Sequence, residues 1–430
     1  MAVFVLDKHK KPLMPCTEKR ARLLLERRRA VVHKMSPFTI RLKDRTVEQS
    51  QLQPLRLKLD PGSKITGLAV LRENDSENRA AILLAELCHK PGIKEKLDVR
   101  KTQRRNRRNR KTRYREKRFD NRTRPSGWLP PSLQARVNQA SNVVAKLQKL
   151  LPITAISTEH AKFDTQLLQN PAIAGIEYQQ GELLGYEVRE YLLEKWKREC
   201  AYCGKTDIPL EIEHITPKSR GGSDRISNLA IACRPCNQAK GNRTAEEFGH
   251  PEIQKQAKLP LKDAAMMNAT RWALFNRLKE TGLPVEYGTG ARTKKQRIEH
   301  KFPKTHYYDA CCVGAGTPAN LAIGQKYVSI WKAIGRGTRR MCNIDKYGFP
   351  ICHRQRKKNH FGFQTGDITA AAIPRGKYQG IHTGRVAVRA SGYFDLKDVS
   401  GIRICQGIGH KHFRLLQRAG GWHYGKAKIA

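Results

Sequence analysis

Apolar and polar residues alternate in several short segments of this chain, a period that is typical of β-strands. Leu55–Asp60 alternates in this way, and residues 65–71 follow it across a Pro-Gly-Ser-Lys turn, which predicts a hairpin. Residues 80–87 and 153–160 predict two further strands, the second with Glu159 near its carboxyl end. Asp60 also lies at a strand end, although an Asp beside a turn more often forms the turn than binds a metal.

Longer segments show the 3.6-residue period of helices. Predicted helices cover residues 18–34, 96–124, 132–151, 186–197, 261–280 and 304–313. In the last of these, His306 and Asp309 are three residues apart and therefore share one helical face. Core packing is indicated for the apolar stripe of residues 261–280, which consists of Met266, Met267, Trp272, Leu274 and Phe275.

Two CxxC pairs, Cys200/Cys203 and Cys233/Cys236, bracket a short segment of different character. Four thiolates at this spacing suit a tetrahedral, closed Zn²⁺ site, which is structural because no ligand position is left open. Four unrelated buried thiols would rarely have this spacing by chance. Between the pairs, residues 210–215 and 228–232 predict strands around a Gly-Gly turn, and residues 236–240 begin a helix. The segment is therefore a ββα hairpin clamped by zinc.

Composition adds a strong constraint on the partner. The 430 residues include 83 Lys and Arg against 38 Asp and Glu, a formal net charge of +45. Such an excess implies a polyanionic partner, because the folded chain would otherwise repel itself. No apolar run approaches the roughly 18 residues of a membrane span, so we expect no membrane partner. We also expect no secretory leader at the start of the chain.

Eleven cysteines, of which four follow a metal-binding pattern, indicate a reducing compartment. Cys352 and His353 could form half of a second metal site, but a packed or surface thiol is the commoner explanation.

The densest charge run is residues 96–124, with fifteen Lys or Arg against three acids. It is either a disordered basic segment or a helix that nucleic acid orders. The run has no Gly or Pro and is rich in Arg, which favours helix and pairs bidentately with phosphate, so we favour the helix. The residues predicted to bind nucleic acid are Arg104, Arg105, Arg107, Arg108, Arg110, Lys111, Arg113 and Arg115.

Beyond about residue 335 the chain becomes rich in glycine turns. Residues 362–368 and 384–389 alternate as strands between glycines, which predicts a small β-rich module. Cations and aromatic residues are interleaved there, a combination that suits nucleic-acid contact but is also common in other small β domains.

The zinc-bracketed segment resembles the HNH endonuclease motif. The resemblance implies that His214 activates a water as general base, and that Asn228 orients His214 or braces its loop. Glu213 and Asn237 would hold one Mg²⁺ on the scissile phosphate, since a hard cation takes oxygen ligands. The chain departs from many members of the family by carrying Glu213 in place of Asp.

Five motifs in one order resemble IscB, a family of transposon-associated, RNA-guided nucleases related to the CRISPR type II effectors. Residues 12–15 read PLMP, and the Arg-rich run looks like a bridge helix. Residues 59–70, 156–166 and 305–314 look like three pieces of a RuvC nuclease, with the HNH unit between the second and third. The implied fold class is α/β and multidomain: an RNase H-like RuvC core split in three, an inserted zinc-bound ββα HNH domain and a small C-terminal β-rich module.

The resemblance also implies domain limits. These are a PLMP-type unit (1–54), RuvC piece I (55–95), the bridge helix (96–124), RuvC piece II (125–185), the HNH nuclease (186–255), RuvC piece III (256–338) and a C-terminal module that contacts RNA and a target-adjacent motif (339–430).

A function follows from the same resemblance. Asp60, Glu159, His306 and Asp309 would form the RuvC site, with Mg²⁺ on the three carboxylates and His306 as base or metal-site partner. An omega RNA would pair its guide with double-stranded DNA beside an adjacent motif. The HNH site would then cut the paired strand and the RuvC site the displaced strand. The protein is expected to be a monomer within a ribonucleoprotein, in a prokaryotic cytoplasm and on the nucleoid when bound to DNA.

Two other functions fit part of the sequence. A protein-guided HNH endonuclease of the homing or restriction type would use its basic regions to bind DNA directly, but would not need the three RuvC-like pieces. A non-catalytic zinc-containing RNA-binding protein would not need Glu213, His214, Asn228 and Asn237 together.

Overall fold

The computed structural model describes residues 2–73, 78–109, 125, 127–160, 184–224, 226–258, 262–335, 342–345, 349–353, 355–398 and 401–429. Four of the cations predicted to bind nucleic acid, Arg110, Lys111, Arg113 and Arg115, lie outside the described residues. None of the described helices is long and apolar enough to cross a membrane.

Strands and helices are interspersed up to Cys311, and mainly strands follow. The strands are β1 Val3–Leu6, β2 Pro12–Cys16, β3 Ala30–Lys34, β4 Thr39–Leu42, β5 Leu55–Asp60, β6 Ile65–Arg72, β7 Asn78–Cys88, β8 Ile153–Glu159, β9 Leu210–His214, β10 Leu229–Cys233, β11 Val285–Gly288, β12 Asn320–Ala322, β13 Tyr327–Ala333, β14 Cys342–Ile344, β15 Pro350–His353, β16 Asn359–His360, β17 Phe363–Gln364, β18 Ile368–Ile373, β19 Gly380–Ala387, β20 Tyr393–Lys397, β21 Arg403–Gly409, β22 Phe413–Gln417 and β23 Trp422–Lys428. The helices are α1 Glu18–Glu26, α2 Ile93–Asn109, α3 Pro131–Gln148, α4 Leu184–Lys195, α5 Arg234–Lys240, α6 Pro251–Lys258, α7 Lys262–Lys279, α8 Gly290–Glu299 and α9 His306–Cys311.

The N-terminal unit is a four-stranded sheet in the order β2-β1-β4-β3, with α1 against it. Thr17 caps α1, because its side chain accepts a hydrogen bond from the backbone N–H of Arg20. The predicted helix over residues 18–34 is wrong in its second half. The helix ends at Glu26, Arg28 has a φ of 53°, and Ala30–Lys34 pairs antiparallel with β4. The β-branched pair Val31-Val32 suits that strand better than a helix.

The central sheet has the order β11-β8-β5-β6-β7-β13-β23, and β12 adds to β7. The strands β5, β6 and β7 are antiparallel neighbours, whereas β8 runs parallel to β5 and β11 runs parallel to β8. The predicted hairpin and the strands at 80–87 and 153–160 are all present. Burial follows the strand alternation, since Leu55, Leu57 and Leu59 are fully buried against the apolar sides of α3 and α7. The helix α9 packs on the other face, against β5 and β6.

The zinc-bracketed segment folds around its own core. The strands β9 and β10 pair antiparallel with Leu229 opposite His214, and α5 follows β10 directly. Leu192 of α4 and Trp196, which follows the helix directly, are buried and pack in the same cluster as Ile231. The predicted ββα hairpin is therefore present, in the predicted order.

The C-terminal region is divided between two sheets, which differs from a single module over residues 339–430. A five-stranded sheet with the order β21-β20-β19-β18-β22 ends at Gln417. The last strand, β23, pairs instead with β13 in the central sheet, where Trp331 lies opposite Tyr424. Aromatic packing explains the pairing of β23 with β13, because the rings of Trp331 and Tyr424 meet edge-on with centroids 5.1 Å apart.

Candidate functional site

The four residues predicted to form a RuvC site converge at one end of the central sheet. The register that pairs Leu59 with Thr158 places Asp60 and Glu159 at the neighbouring carboxyl ends of β5 and β8. The helix α9 begins over β6 with His306, and Gly67 makes that approach possible. A Cβ at Gly67 would lie 1.8 Å from the His306 carbonyl oxygen, so only glycine fits below the helix.

His306 contacts the first of these carboxylates. Its Nδ1 lies 3.1 Å from Oδ2 of Asp60. This hydrogen bond raises the pKa of His306, in spite of partial burial, because the carboxylate favours the charged ring. Asp309 faces the same region and is itself buried, with Arg297 Nε at 2.7 Å and Lys304 Nζ at 3.5 Å.

Glu159 is the most strongly perturbed acid of the group. Burial, and next the charge of Asp60, raise the pKa of Glu159 to about 8. Burial likewise raises the pKa of Asp309, although Lys304 and Arg297 oppose the shift. Arg297 and Lys304 offset the charge of Asp309, but Asp60 and Glu159 still repel each other, so divalent cations would suit this donor set.

Among the described residues, the four cysteines are the only group of three or more His, Cys, Asp or Glu whose ligand atoms all lie within 4.8 Å of one another. The acids at the end of the central sheet do not form such a tight group, and the two-cation arrangement of a phosphodiester nuclease stays a prediction for them.

Lys58 of β5 also supports this site, and nothing in its sequence position indicates that role. Its side chain is fully buried, and its Nζ donates to the Cys311 carbonyl at 3.1 Å and to Thr317 Oγ1 at 2.9 Å. Burial lowers the pKa of Lys58 to about 8. The ammonium thus holds the carboxyl end of α9, the helix that carries His306 and Asp309.

The four cysteines predicted to bind zinc lie together. Cys203 Sγ and Cys233 Sγ are 3.8 Å apart. A tetrahedral ion with Zn–S bonds of about 2.3 Å separates its sulfur atoms by about 3.8 Å, so the group fits Zn²⁺. Burial would raise the pKa of the Cys200 thiol, but backbone N–H groups around it outweigh burial and lower that pKa to about 7. Burial raises the pKa of Cys233 and Cys236 instead, so a bound cation would be required to hold all four as thiolates.

His214 ends β9 and has a partner, Asp224, that no sequence motif indicates. Its Nε2 lies 2.7 Å from Oδ1 of Asp224, and the other oxygen of Asp224 lies 2.9 Å from Lys218 Nζ. Asp224 follows the Gly221-Gly222 turn at no recognisable motif spacing, so only the folded loop identifies it. Lys218 and then His214 hold the pKa of Asp224 below its usual range.

Glu213 does not stand where a metal ligand is expected. It is buried, with Lys240 Nζ 2.5 Å from one carboxylate oxygen and the Tyr202 hydroxyl donating to the other at 2.6 Å. Successive side chains on a strand point to opposite faces, and Glu213 is 4% exposed whereas the side chain of His214 is 28% exposed. Asn237 donates to Glu211, at 3.0 Å. Glu213 and Asn237 thus have different partners, and both oxygens of Glu213 are already occupied.

Asn228 braces the loop and makes no hydrogen bond to His214 itself. Its side chain accepts from the Thr216 N–H and donates to the Thr216 and Ser223 carbonyls, all at 2.9 Å. Of the two roles considered for Asn228, bracing is the one that the geometry supports.

Two parts of the chain match known families. Residues 3–181 match the family described as RRXRR protein, and residues 200–251 match the family described as HNH endonuclease. The chain carries an HNH endonuclease domain. This domain and the RRXRR match before it confirm the resemblance to IscB. IscB-like nucleases are related to Cas9. No curated protein matches the chain.

Solved structures add only a distant likeness. The Type II-C Cas9 enzyme from Actinomyces naeslundii is 12% identical over 61% of this chain and 59% of its own, with a TM-score of 0.24. Streptococcus thermophilus Cas9 in complex with the GGAA PAM is 14% identical over 60% of this chain and 32% of its own, with a TM-score of 0.21. This IscB-like chain thus covers less than two thirds of either protein, and such low scores carry no argument.

The Arg-rich run contains the sequence Arg104-Arg105-Asn106-Arg107-Arg108, an instance of the RRXRR pattern. The described part of the run is helical as far as Asn109, at the end of α2. Arg104 and Arg105 are exposed on that helix. Their predicted contact with nucleic acid stays a prediction.

Proposed function

We propose that the chain is an RNA-guided DNA endonuclease with two nuclease sites. The observation that carries the proposal is the meeting of Asp60, Glu159, His306 and Asp309 at one end of the central sheet. The sheet has three antiparallel strands, β5 to β7, continued by the parallel strands β8 and β11. This is the arrangement expected of an RNase H-like nuclease, which supports assigning the site to a RuvC core.

At this RuvC-type site, Asp60, Glu159 and Asp309 would hold Mg²⁺. The bound ions would neutralise the carboxylates and stabilise charge on the oxygens of the scissile phosphate. The protein's own groups then have separate tasks. Asp60 fixes the His306 ring through Nδ1, which leaves Nε2 to exchange a proton with the substrate. The side chain of His306 is 42% exposed, so a phosphodiester can reach it.

At the HNH site, His214 would be the general base, oriented by Asp224 through Nε2 and able to accept a proton at Nδ1. Mg²⁺ remains part of the proposal for this domain as a family property. The residues predicted to hold it do not fit an ion in the arrangement described, since Lys240 and Tyr202 occupy Glu213. Zinc has only a structural role in this domain.

Guidance by RNA is supported by the net charge of +45, by the cationic helix α2 and by the RRXRR match. The bridge helix would bind the guide–target duplex along its backbone, while base pairing supplies sequence specificity. The proposed partners are an omega RNA and double-stranded DNA with an adjacent motif, bound by the C-terminal module. The proposed location is a prokaryotic cytoplasm, on the nucleoid when DNA is bound.

The deciding experiment sequences the RNA that co-purifies with the protein and then supplies a DNA target that matches its variable end. With Mg²⁺, both DNA strands should be cut, and RNase treatment should abolish cutting. Asp60→Ala should leave only the guide-paired strand cut, and His214→Ala only the displaced strand. Cleavage that persists without RNA would instead indicate a protein-guided endonuclease, and loss of both cuts in either variant would contradict two separate sites.

A further inference from the structure

Four rings form a cluster at the same end of the central sheet as the carboxylates. We name His160, Trp272, Phe275 and Tyr287 the aromatic platform. The His160 ring stacks on Tyr287 with centroids 5.3 Å apart and meets Trp272 edge-on at 4.9 Å. Phe275 completes the cluster, at 5.1 Å from His160 and 5.7 Å from Trp272. The rings therefore support one another as a single surface.

The outer rings of the platform are open to solvent. Trp272 is 51% exposed and Tyr287 is 57% exposed, whereas Phe275 lies buried beneath them. The prediction that Trp272 belongs to the core stripe of its helix is therefore wrong, while Leu274 and Phe275 of that stripe are buried. His160 Nε2 has no hydrogen-bond partner among the described residues. That nitrogen is buried beneath the exposed rings, so the surface offered to a ligand is aromatic, and an exposed aromatic patch of this kind is typical of a binding site.

The charge around the platform indicates what it binds. Lys279 Nζ lies 4.7 Å from the centre of the Phe275 ring. The helix α7, which carries Trp272 and Phe275, has four basic residues and one acid in its sequence. Aromatic faces combined with cations stack bases and neutralise phosphates, which is how proteins hold single-stranded nucleic acid.

The position of the platform indicates which nucleic-acid strand it would bind. Glu159 and His160 are consecutive, so their side chains point to opposite faces at the end of β8. On the neighbouring strand β11, Tyr287 pairs with Thr158 and Gly288 with Glu159. The platform and the carboxylates thus flank the same sheet end, one residue apart along the backbone. A single strand that crosses this end would contact the rings on one side and the carboxylates on the other.

We propose that the aromatic platform stacks bases of the displaced DNA strand and guides that strand to the Asp60–Glu159 site. This inference rests on the proposed function, because it requires a displaced strand. DNA is the favoured partner because the platform adjoins the site assigned to cutting that strand.

Binding can be measured without cutting. The full chain carrying Asp60→Ala is titrated with an oligodeoxythymidylate that contains one 2-aminopurine, whose fluorescence falls on stacking. Adding Trp272→Ala or Tyr287→Ala should weaken binding about tenfold each and restore the fluorescence. Trp272→Phe should keep most of the affinity, and Asn276→Ala, an exposed non-aromatic change on the same helix, should keep all of it. Unchanged binding and quenching in both alanine variants would overturn the inference.

Cleavage separates this inference from the proposed function. In the RNA-loaded protein with Asp60 intact, the two alanine variants should slow cutting of the displaced strand and spare the guide-paired strand. If Asp60→Ala leaves the displaced strand cut, the proposed function is wrong. If Asp60→Ala stops that cut while the platform variants cut like the parent, only the platform inference is wrong. Loss of bound RNA in the platform variants would also overturn it, because the rings would then contact the RNA.

Discussion

At the scale of single residues, the core of the HNH unit contains one buried ion pair. Lys240 and Glu213 are 1% and 4% exposed, and Lys240 also donates to the His214 carbonyl at 2.9 Å. A lysine from α5 therefore holds the strand end that carries the proposed base. The sequence showed Glu213 beside His214 and suggested a shared task, but strand alternation and a partner 27 positions later separate the two residues.

Lys240→Met should strongly destabilise the HNH unit. It leaves the buried Glu213 carboxylate without its counter-charge, which typically costs about 3–5 kcal/mol. Thermal unfolding, with zinc content checked, should show a lower Tm for this unit. Lys218→Met removes an exposed ion pair with Asp224 and should change stability by less than about 1 kcal/mol. Equal stability of the two variants would mean that the buried pair does not support the fold.

Glu159 predicts a pH effect in the absence of Mg²⁺. Its pKa is raised from 4.5 to about 8 in the folded chain, so the folded state binds the proton more tightly than the unfolded state. The stability contributed by this proton is complete below pH 4.5 and is lost as the pH rises through about 8. In Glu159→Gln the side chain at position 159 carries no titrating proton. The Tm of this variant should therefore exceed that of the parent by a growing margin as the pH rises.

The measurement compares Tm from pH 5 to 9 in buffer without Mg²⁺ and without chelator, so that zinc is retained. Mg²⁺ should restore the parent's stability at high pH and have little effect on Glu159→Gln, because the ion replaces the proton as counter-charge. Parallel Tm curves for the two proteins would rule out a buried, perturbed Glu159.

At the scale of elements, the zinc cluster joins the loop before β9 to the start of α5, and so closes the open end of the hairpin, where Cys233 pairs with Leu210. Cys236→Ser should remove one ligand, lower zinc content and unfold the ββα unit, since structural zinc sites contribute their binding energy to folding. Cutting at the HNH site should be abolished while the displaced strand is still cut. Metal analysis and strand-specific gels measure both effects.

Cys352→Ser is the matched control, because Cys352 is exposed on β15 and outside the cluster. It should change neither zinc content nor cutting. Retention of full zinc and HNH cutting by Cys236→Ser would contradict a four-cysteine site.

Elements with a clear local pattern could be predicted from the sequence. The alternation of Leu55–Asp60 predicts a strand, and the spacing of the CxxC pairs predicts a four-cysteine cluster. Both are present in the structure. The helix predicted over residues 18–34 failed because Ala30–Lys34 is stabilised by pairing with β4, a contact that local propensity does not contain. The partner of His214 was missed for the same reason, since Asp224 reaches it only through the fold of the loop.

At the scale of the whole molecule, sequence order hides one connection. The strand β23 begins 89 positions after the end of β13, beyond the five-stranded sheet, yet the two pair over seven residues from Tyr327 to Ala333. The sequence of residues 422–428 predicts a continuation of the C-terminal module, because no feature of it indicates pairing with a strand far away along the chain. The strand β23 therefore lies at the edge of the central sheet, and the five-stranded sheet is connected to the central sheet along the chain on both sides, by β13 before it and by β23 after it.

The net charge of +45 gives the last prediction, which concerns how the molecule holds nucleic acid as a whole. Removing one cation that neutralises a phosphate reduces the slope of log affinity against log salt by about 0.9 for duplex DNA. Changing Arg104, Arg105, Arg107 and Arg108 to Gln should therefore flatten the slope by up to about 3–4, if this run lies along a duplex. Filter binding with matched duplex between 50 and 300 mM salt measures it.

A charge-matched control changes Lys19, Arg20, Arg27 and Arg28, four exposed cations in and just after α1, to Gln. Both variants have four fewer charges, so a general field effect would flatten both slopes equally. A bridge helix in direct contact predicts a clear difference between them, because counterions are released only where phosphates are approached. Identical slopes would mean that Arg104–Arg108 act only as part of the overall charge, and that the position of α2 has no role in binding.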